Sequence, residues 1–178
     1  MHINNNPLLI ADAKPSEVMS AWIHHDASLT DKLSALKGQV DLEVICQEWV
    51  RPSHWDRAYL QVPNQSIFQR EILMRSQGHA YWYARSLIPE QCYQQNPAFF
   101  KRLETESIRN LIFGNPAVER RSMYYYPVDP QCLEYYWVKK HLQHIKGPFW
   151  VRFAEFSLAD QTSFYLIEIL FPSLESLS

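Results

Sequence analysis

The sequence predicts an α+β fold, an antiparallel sheet of about six strands flanked by helices. Three observations carry this expectation. Several segments alternate apolar and polar residues with the period of two that a half-buried strand requires. Others space their apolar residues as one face of a helix. The links between the second and third strands, and between the fifth and sixth, are too short for crossover connections and read as hairpins. At 178 residues, with no repeat, low-complexity tract or Gly/Ser linker, the chain is most simply one domain over 1–178. It is long enough to bury a substantial core. Residues 1–14 read as a loosely ordered N-terminal segment.

Taken in order, the first helix follows Pro15, with Val18, Met19 and Trp22 on one face. The second lies in "SLTDKLSALKG", where Ser28 and Asp31 make an S-x-x-D capping box, Leu29, Leu33 and Leu36 form a stripe, and Gly38 suits the stop. "QVDLEVICQEW" then alternates Val40, Leu42, Val44 and Cys46 against Asp41, Glu43, Ile45 and Gln47, a strand with one wet face, at least in its first half. "FQREILMRSQGHAYWYARSLIP", residues 68–89, supplies two strands and a tight turn. "NPAFFKRLETESIRNLIF" reads as mostly helical with Ile108, Leu111 and Ile112 on one face, and "ERRSMYYYPV" as a strand ending at Pro127. Helical spacing returns in Leu133, Trp137, Val138 and Leu142, with Gly147 as a stop. "PFWVRFAEFSL" and "SFYLIEILFP" close the chain as two strands across "ADQT".

Composition excludes several function classes. A formal net charge of −2 gives no global basic footprint for nucleic acid. No apolar run approaches the roughly 18–20 residues of a membrane span, and the N-terminus lacks the basic and apolar regions of a secretory signal. The three cysteines, Cys46, Cys92 and Cys132, are far apart and form no CxxC pair. A reducing, cytoplasmic setting is therefore expected. With four glycines there is no GxGxxG, Walker or GxSxG loop. His24 and His25 sit at a helix entry. His141 and His144 have neither an HExxH pattern nor an acidic third ligand, so no metal site is expected.

Charges stand where a core should be. Arg70 shares a strand face with Phe68, Ile72 and Met74, and Arg85 aligns with Tyr81, Tyr83 and Leu87. Glu168 falls among Phe164, Leu166 and Leu170, while the other face of its strand is Tyr165, Ile167, Ile169 and Phe171. A strand apolar on both faces is central and covered. A lone ionised carboxylate there costs several kcal/mol unless it is paired, hydrogen-bonded or neutralised. Two readings stay open at this point: a structural ion pair between Arg70 and Glu168, or a pocket in which a guanidinium holds a small carboxylate.

Four stretches bear on the choice: "WIHHDASLTDKLSALKG" with "VDLEVICQEW", "REILMRSQGHAYWYARSLIP", "SIRNLIF" and "YLIEILFP". The chain resembles the chorismate pyruvate-lyase family in these, most specifically in the R-E-I-L…W-x-x-[GA]-R-[ST]-x-x-P hairpin. The resemblance implies an antiparallel sheet flanked by helices, with helical flaps over an internal site. It also implies a cytoplasmic monomer that needs no metal or organic cofactor and turns chorismate into 4-hydroxybenzoate and pyruvate, the opening step of ubiquinone biosynthesis. By the same resemblance the carboxylate-binding arginine is Arg70, the acid near the product hydroxyl is Glu168, the lid contacts are Leu29 and Ile108, and Arg85 is a further substrate-binding arginine. Arg85 or Arg152 would take the second carboxylate of chorismate. The chain departs from the family pattern at Ala84 and Arg109, where glycine is familiar. It keeps only Trp150 and Arg152 of a W-G-R-R-type stretch, and 129–147 has no match. The competing expectation is a small-carboxylate-binding domain of the same fold without chemistry, like the effector domains of GntR-type regulators.

Overall fold

The computed structural model describes residues 13–60, 62, 65–159 and 161–177; most of the N-terminal segment 1–14 lies outside them. Six strands form one sheet: β1 (Asp41–Val50), β2 (Ile67–Ser76), β3 (His79–Pro89), β4 (Val118–Val128), β5 (Phe149–Leu158) and β6 (Ser163–Leu170). Their order is β1-β2-β3-β6-β5-β4, and every neighbouring pair is antiparallel. Two three-stranded meanders thus meet along β3 and β6. The last strand is central, as its two apolar faces require.

Helices cover both faces. On one lie α1 (Glu17–Ile23), α2 (Leu29–Lys37), α4 (Glu90–Gln95), α5 (Pro97–Lys101) and α6 (Ile108–Ile112), burying Trp22, Leu33, Phe100 and Leu111 against Ile72, Trp82 and Leu170. On the other, α3 (His54–Leu60) and α7 (Leu133–Lys139) close over Tyr83, Phe153 and Ile167. This two-sided burial explains why β3, β5 and β6 read as largely apolar runs, and it buries the polar side chains of β2 with them.

Local signals set the helix ends. The Ser16 hydroxyl accepts from the Met19 amide at 3.1 Å, and that of Ser28 from the Asp31 amide at 3.2 Å. Gly38 ends α2 at φ +77°, a conformation that suits glycine. Other expectations need correction. Leu36, the third member of the α2 stripe, is 53% exposed. Residues 97–113 are mostly helical, as expected, in two short α-helices and a 3₁₀ turn (Arg102–Glu104). In the next segment α7 stops at Lys139, so Gly147 is not its terminator.

Helix α3 was not anticipated, yet its signal is present in Ser53 and Asp56. The Asp56 amide donates to the Ser53 hydroxyl at 3.2 Å, and the Ser53 amide to the Asp56 carboxylate at 2.7 Å, a reciprocal capping box.

Two β-bulges determine which side chains meet. Gln77 and Gly78 turn the β2–β3 hairpin, both at positive φ, as a two-residue I′-type turn requires. Pairing starts with Ser76 opposite His79 and Arg75 opposite Ala80, then shifts so that Met74 faces Trp82 and Arg70 faces Ser86. The extra residue is Tyr81. A one-residue slip inverts every later side chain relative to the partner strand. Without it Arg70 and Arg85 would lie opposite each other on one face; with it they point to opposite faces. A second bulge at Ile45 separates Val44 from Cys46, and the alternation expected for β1 holds only from Asp41 to Glu43, since Val44 is exposed.

Candidate active site

The β2, β3 and β6 side chains that face α2 and α6 enclose a small cavity. In register, Ile72 of β2 faces Ala84 of β3, which faces Glu168 of β6. Arg70 lies one same-face position along from Ile72, opposite Ser86. Arg70 and Glu168 therefore stand two strands apart and offset by two residues, about 12 Å between backbones. Between them the floor consists of the small side chains Ala84 and Ser86. The alanine that departs from the family pattern leaves this floor low.

The roof comes from two short helices. Ser28, Leu29 and Thr30 close it from the start of α2, and Ser107, Ile108, Arg109, Ile112 and Phe113 from α6. Each helix is capped by a serine at the cavity edge, Ser28 on the Asp31 amide and Ser107 on the Arg109 amide at 3.2 Å. The roof halves are tied together by Arg109, whose guanidinium Nε donates to Asp31 Oδ2 at 2.9 Å. The enclosed volume is about 40 Å³, space for a few waters.

Arg70 is 5% exposed, and its buried Nε has no hydrogen-bond partner among the described residues. Burial presses its pKa down, and no acidic side chain offsets this. A guanidinium still stays charged at neutral pH, so the cavity wall holds an unpaired buried cation. Glu168 is different. Burial raises its pKa, while Arg152 and Arg120 pull it back. Its nearest cation is Arg152, with Nε 3.5 Å from Glu168 Oε2, a pairing that follows from the direct register of Arg152 and Glu168. The structural ion pair left open by the sequence is thus made by Arg152, not by Arg70.

Four of the five expected site residues, Arg70, Glu168, Leu29 and Ile108, line this one cavity. Arg85 does not, and its expected role as a substrate-binding arginine is corrected. The Tyr81 bulge turns it to the opposite face. There its Nη1 donates to Asp56 Oδ1 at 2.9 Å, its Nη2 to Oδ2 at 3.3 Å and its Nε to Gln69 at 3.0 Å. The guanidinium stacks 4.7 Å over Trp137. Glu71, on the same face, meets His141 at 3.3 Å. Arg85 is fully engaged in the second core.

Sequence reasoning missed Ser86, Trp82 and Met74 as lining residues. Their signal was the alternation that placed Arg70, since Met74 shares its strand face and Trp82 and Ser86 lie on the matching face once the bulge is included. Among the described residues no group of three or more His, Cys, Asp or Glu side chains is placed to hold a metal ion.

The sheet and its helices define the class: the fold is that of GntR-type effector domains. The effector domain of PhnF from Mycobacterium smegmatis superposes with a TM-score of 0.52 at 12% identity, covering 83% of this chain and 90% of that one. A GntR-family regulator from Bacillus cereus gives 0.54 at 13% identity, covering 76% and 94%. At such identities the likeness concerns fold alone. Sequence goes further. The chorismate lyase family model matches residues 6–163, and the chain belongs to that family. A probable chorismate pyruvate-lyase of Methylobacillus flagellatus is 27% identical over 154 residues, 86% of each chain. One of Pseudomonas syringae pv. tomato is 28% identical over 111 residues, 61% of this chain and 60% of the relative.

Proposed function

We propose that this chain is a chorismate pyruvate-lyase, releasing 4-hydroxybenzoate and pyruvate from chorismate in the cytoplasm as the first step of ubiquinone biosynthesis. The observation that carries the reading is the unpaired, buried Arg70 guanidinium at one end of a low floor of small side chains with Glu168 at the other, in a chain of the chorismate lyase family.

Chorismate carries one carboxylate on its ring and one on an enolpyruvyl ether. Its C3–O bond breaks, the C4 proton leaves the ring, and enolpyruvate gains a proton on its methylene to become pyruvate. The ring becomes aromatic, which supplies the driving force. The protein's tasks are to hold a reactive conformer, exclude water and stabilise developing charge. Arg70 takes the ring carboxylate as a bidentate partner. Glu168, at the far end of the floor, takes the C4 hydroxyl, and Leu29 and Ile108 close over the ring. The closed cavity is too small for such a ligand, so α2 or the 107–113 segment must lift to admit it.

The test is an ultraviolet assay of the purified protein with chorismate, with products identified by chromatography. Both products should form, and Arg70→Met should lower kcat/KM by about 100-fold or more, the worth of two charge-assisted hydrogen bonds. Unchanged kcat/KM in Arg70→Met would refute the placement. A folded protein that binds 4-hydroxybenzoate but forms no product would mark a binding domain instead, a reading the relatives do not favour.

A further inference from the structure

The outer face of α7 is unlike an ordinary solvated helix face. Glu134 and Val138 turn inward and are buried, and Trp137 packs over Arg85. Leu133, Tyr136 and Lys140 are left outside at spacings of i, i+3 and i+7, one stripe of a helix. Lys140 is the C-cap and keeps helical dihedrals, so the stripe runs to it unbroken. Leu133 is 48% exposed and Tyr136 57%. The Tyr136 ring meets that of Tyr135 edge-on at 5.9 Å.

The charge around this stripe has one sign. Lys139 donates to the carbonyls of Gln143 and Ile145, which folds the 140–147 connection back beside the helix. Lys140, His144 and Lys146 are exposed along it. The sole acid between Gln131 and Pro148 is Glu134. It is buried, and both Trp55 Nε1 and the Tyr126 hydroxyl donate to its Oε1 at 3.0 Å. Beside the connection a groove of about 350 Å³ is lined by Arg75, His79, His144 and Lys146, with no carboxylate in its wall. Two exposed acids of β1 are already engaged, Glu43 by Arg75 at 2.7 Å and Glu48 by the Cys46 thiol at 3.1 Å. In a chain of formal net charge −2 this face is a local reversal of sign.

Two kinds of macromolecule could cover it, and the observations favour one. A stable protein interface needs about 1,600 Å² with a desolvated apolar core, and two apolar side chains ringed by lysines are too few to make one. An anionic bilayer surface asks for less. Leucine reaches the acyl boundary, tyrosine sits at headgroup level, and lysines lay their stems along the surface with the ammonium on phosphate. We propose that the face from Leu133 to Lys146 is a peripheral docking surface for anionic lipid bilayers, with lipid phosphate entering the groove between Arg75 and Lys146. Contact is with one leaflet, since no helix among the described residues is long and apolar enough to cross. Helix α7 lies on the sheet face opposite the cavity, so a docked chain keeps α2 and the 107–113 segment free to lift. The proposal stands on this face alone and is independent of the lyase reading.

The test is flotation of the full chain with vesicles of phosphatidylcholine, with and without phosphatidylglycerol. The chain should float with the mixed vesicles and not with the neutral ones. Binding should weaken as ionic strength rises from about 0.01 to 0.15 M, because the screening length falls from about 30 to 8 Å. Lys140→Gln combined with Lys146→Gln should weaken it by about tenfold or more, since each lysine near an anionic surface is worth about fivefold. Tyr136→Ser should weaken it severalfold. These side chains are exposed, so melting temperature and chorismate turnover without vesicles should not change. Lys37→Gln with Lys101→Gln, on the helices of the other sheet face, should leave binding within about twofold. Failure to float, equal binding to both vesicles, or equal loss in the two lysine pairs overturns the proposal.

Discussion

At the scale of single residues, the charged groups of the cavity are held against stability. Arg70 is buried without a counter-ion among the described residues, and removing an uncompensated buried charge usually leaves a protein no less stable. Arg70→Met should therefore raise the melting temperature, or leave it unchanged, while lowering kcat/KM by about 100-fold or more. A large drop in melting temperature would mean the side chain is structural. Glu168 gives a second prediction, from pH. Its pKa is raised in the folded protein by burial, so its contribution to stability is fully present below the ordinary glutamate pKa. That contribution is lost as pH rises through the folded value. Glu168→Gln should match wild type in acid and be the more stable protein at neutral pH, as denaturant titrations at both pH values would reveal. If the ionised form serves catalysis, kcat/KM should fall on the acid side through a pKa above that of an ordinary glutamate. The hydroxyl contact predicts that Glu168→Gln lowers turnover and flattens this limb.

At the scale of elements, the two roof helices, of 9 and 5 residues, are too short to be stable alone, since an isolated helix needs about 12–15 residues to offset nucleation. They are held by their serine caps, by their apolar contacts and by the Arg109–Asp31 pair. Arg109 supplies this link between the two flaps through its side chain. The pair is exposed, and such pairs are worth about 0–1 kcal/mol, less at high salt. Asp31→Asn should therefore raise the inhibition constant of 4-hydroxybenzoate by no more than about fivefold, and added salt should shrink the difference. An effect independent of ionic strength would point to the Ser28 cap instead, whose loss costs about 1 kcal/mol of helix stability.

At the scale of the whole molecule, the sheet separates two kinds of buried arginine. On the α3–α7 side Arg85 is satisfied by Asp56, which is 0% exposed, by Gln69 and by the Trp137 ring. Breaking one partner of a buried pair costs about 3–5 kcal/mol. Asp56→Asn should thus lower the melting temperature by about 6–20 °C, with activity per folded molecule retained. Loss of activity at full stability would mean that the two faces communicate across the sheet.

The sequence by itself determined the strands, the hairpins, the central position of β6 and the charges Arg70 and Glu168, because periodicity and the cost of burying charge act locally and need no partner to be read. Leu29 and Ile108 were legible through family resemblance, and the Ser53–Asp56 box could have revealed α3. The fate of Arg85 was decided only in three dimensions. Side chains alternate with a period of two, so the single residue inserted at Tyr81 sends Arg85 to the other face, and no count of apolar neighbours registers that insertion. Tertiary structure also decided that Glu168 pairs with Arg152 while Arg70 stays unpaired, since the partner of a buried charge depends on the register of strands far apart in sequence.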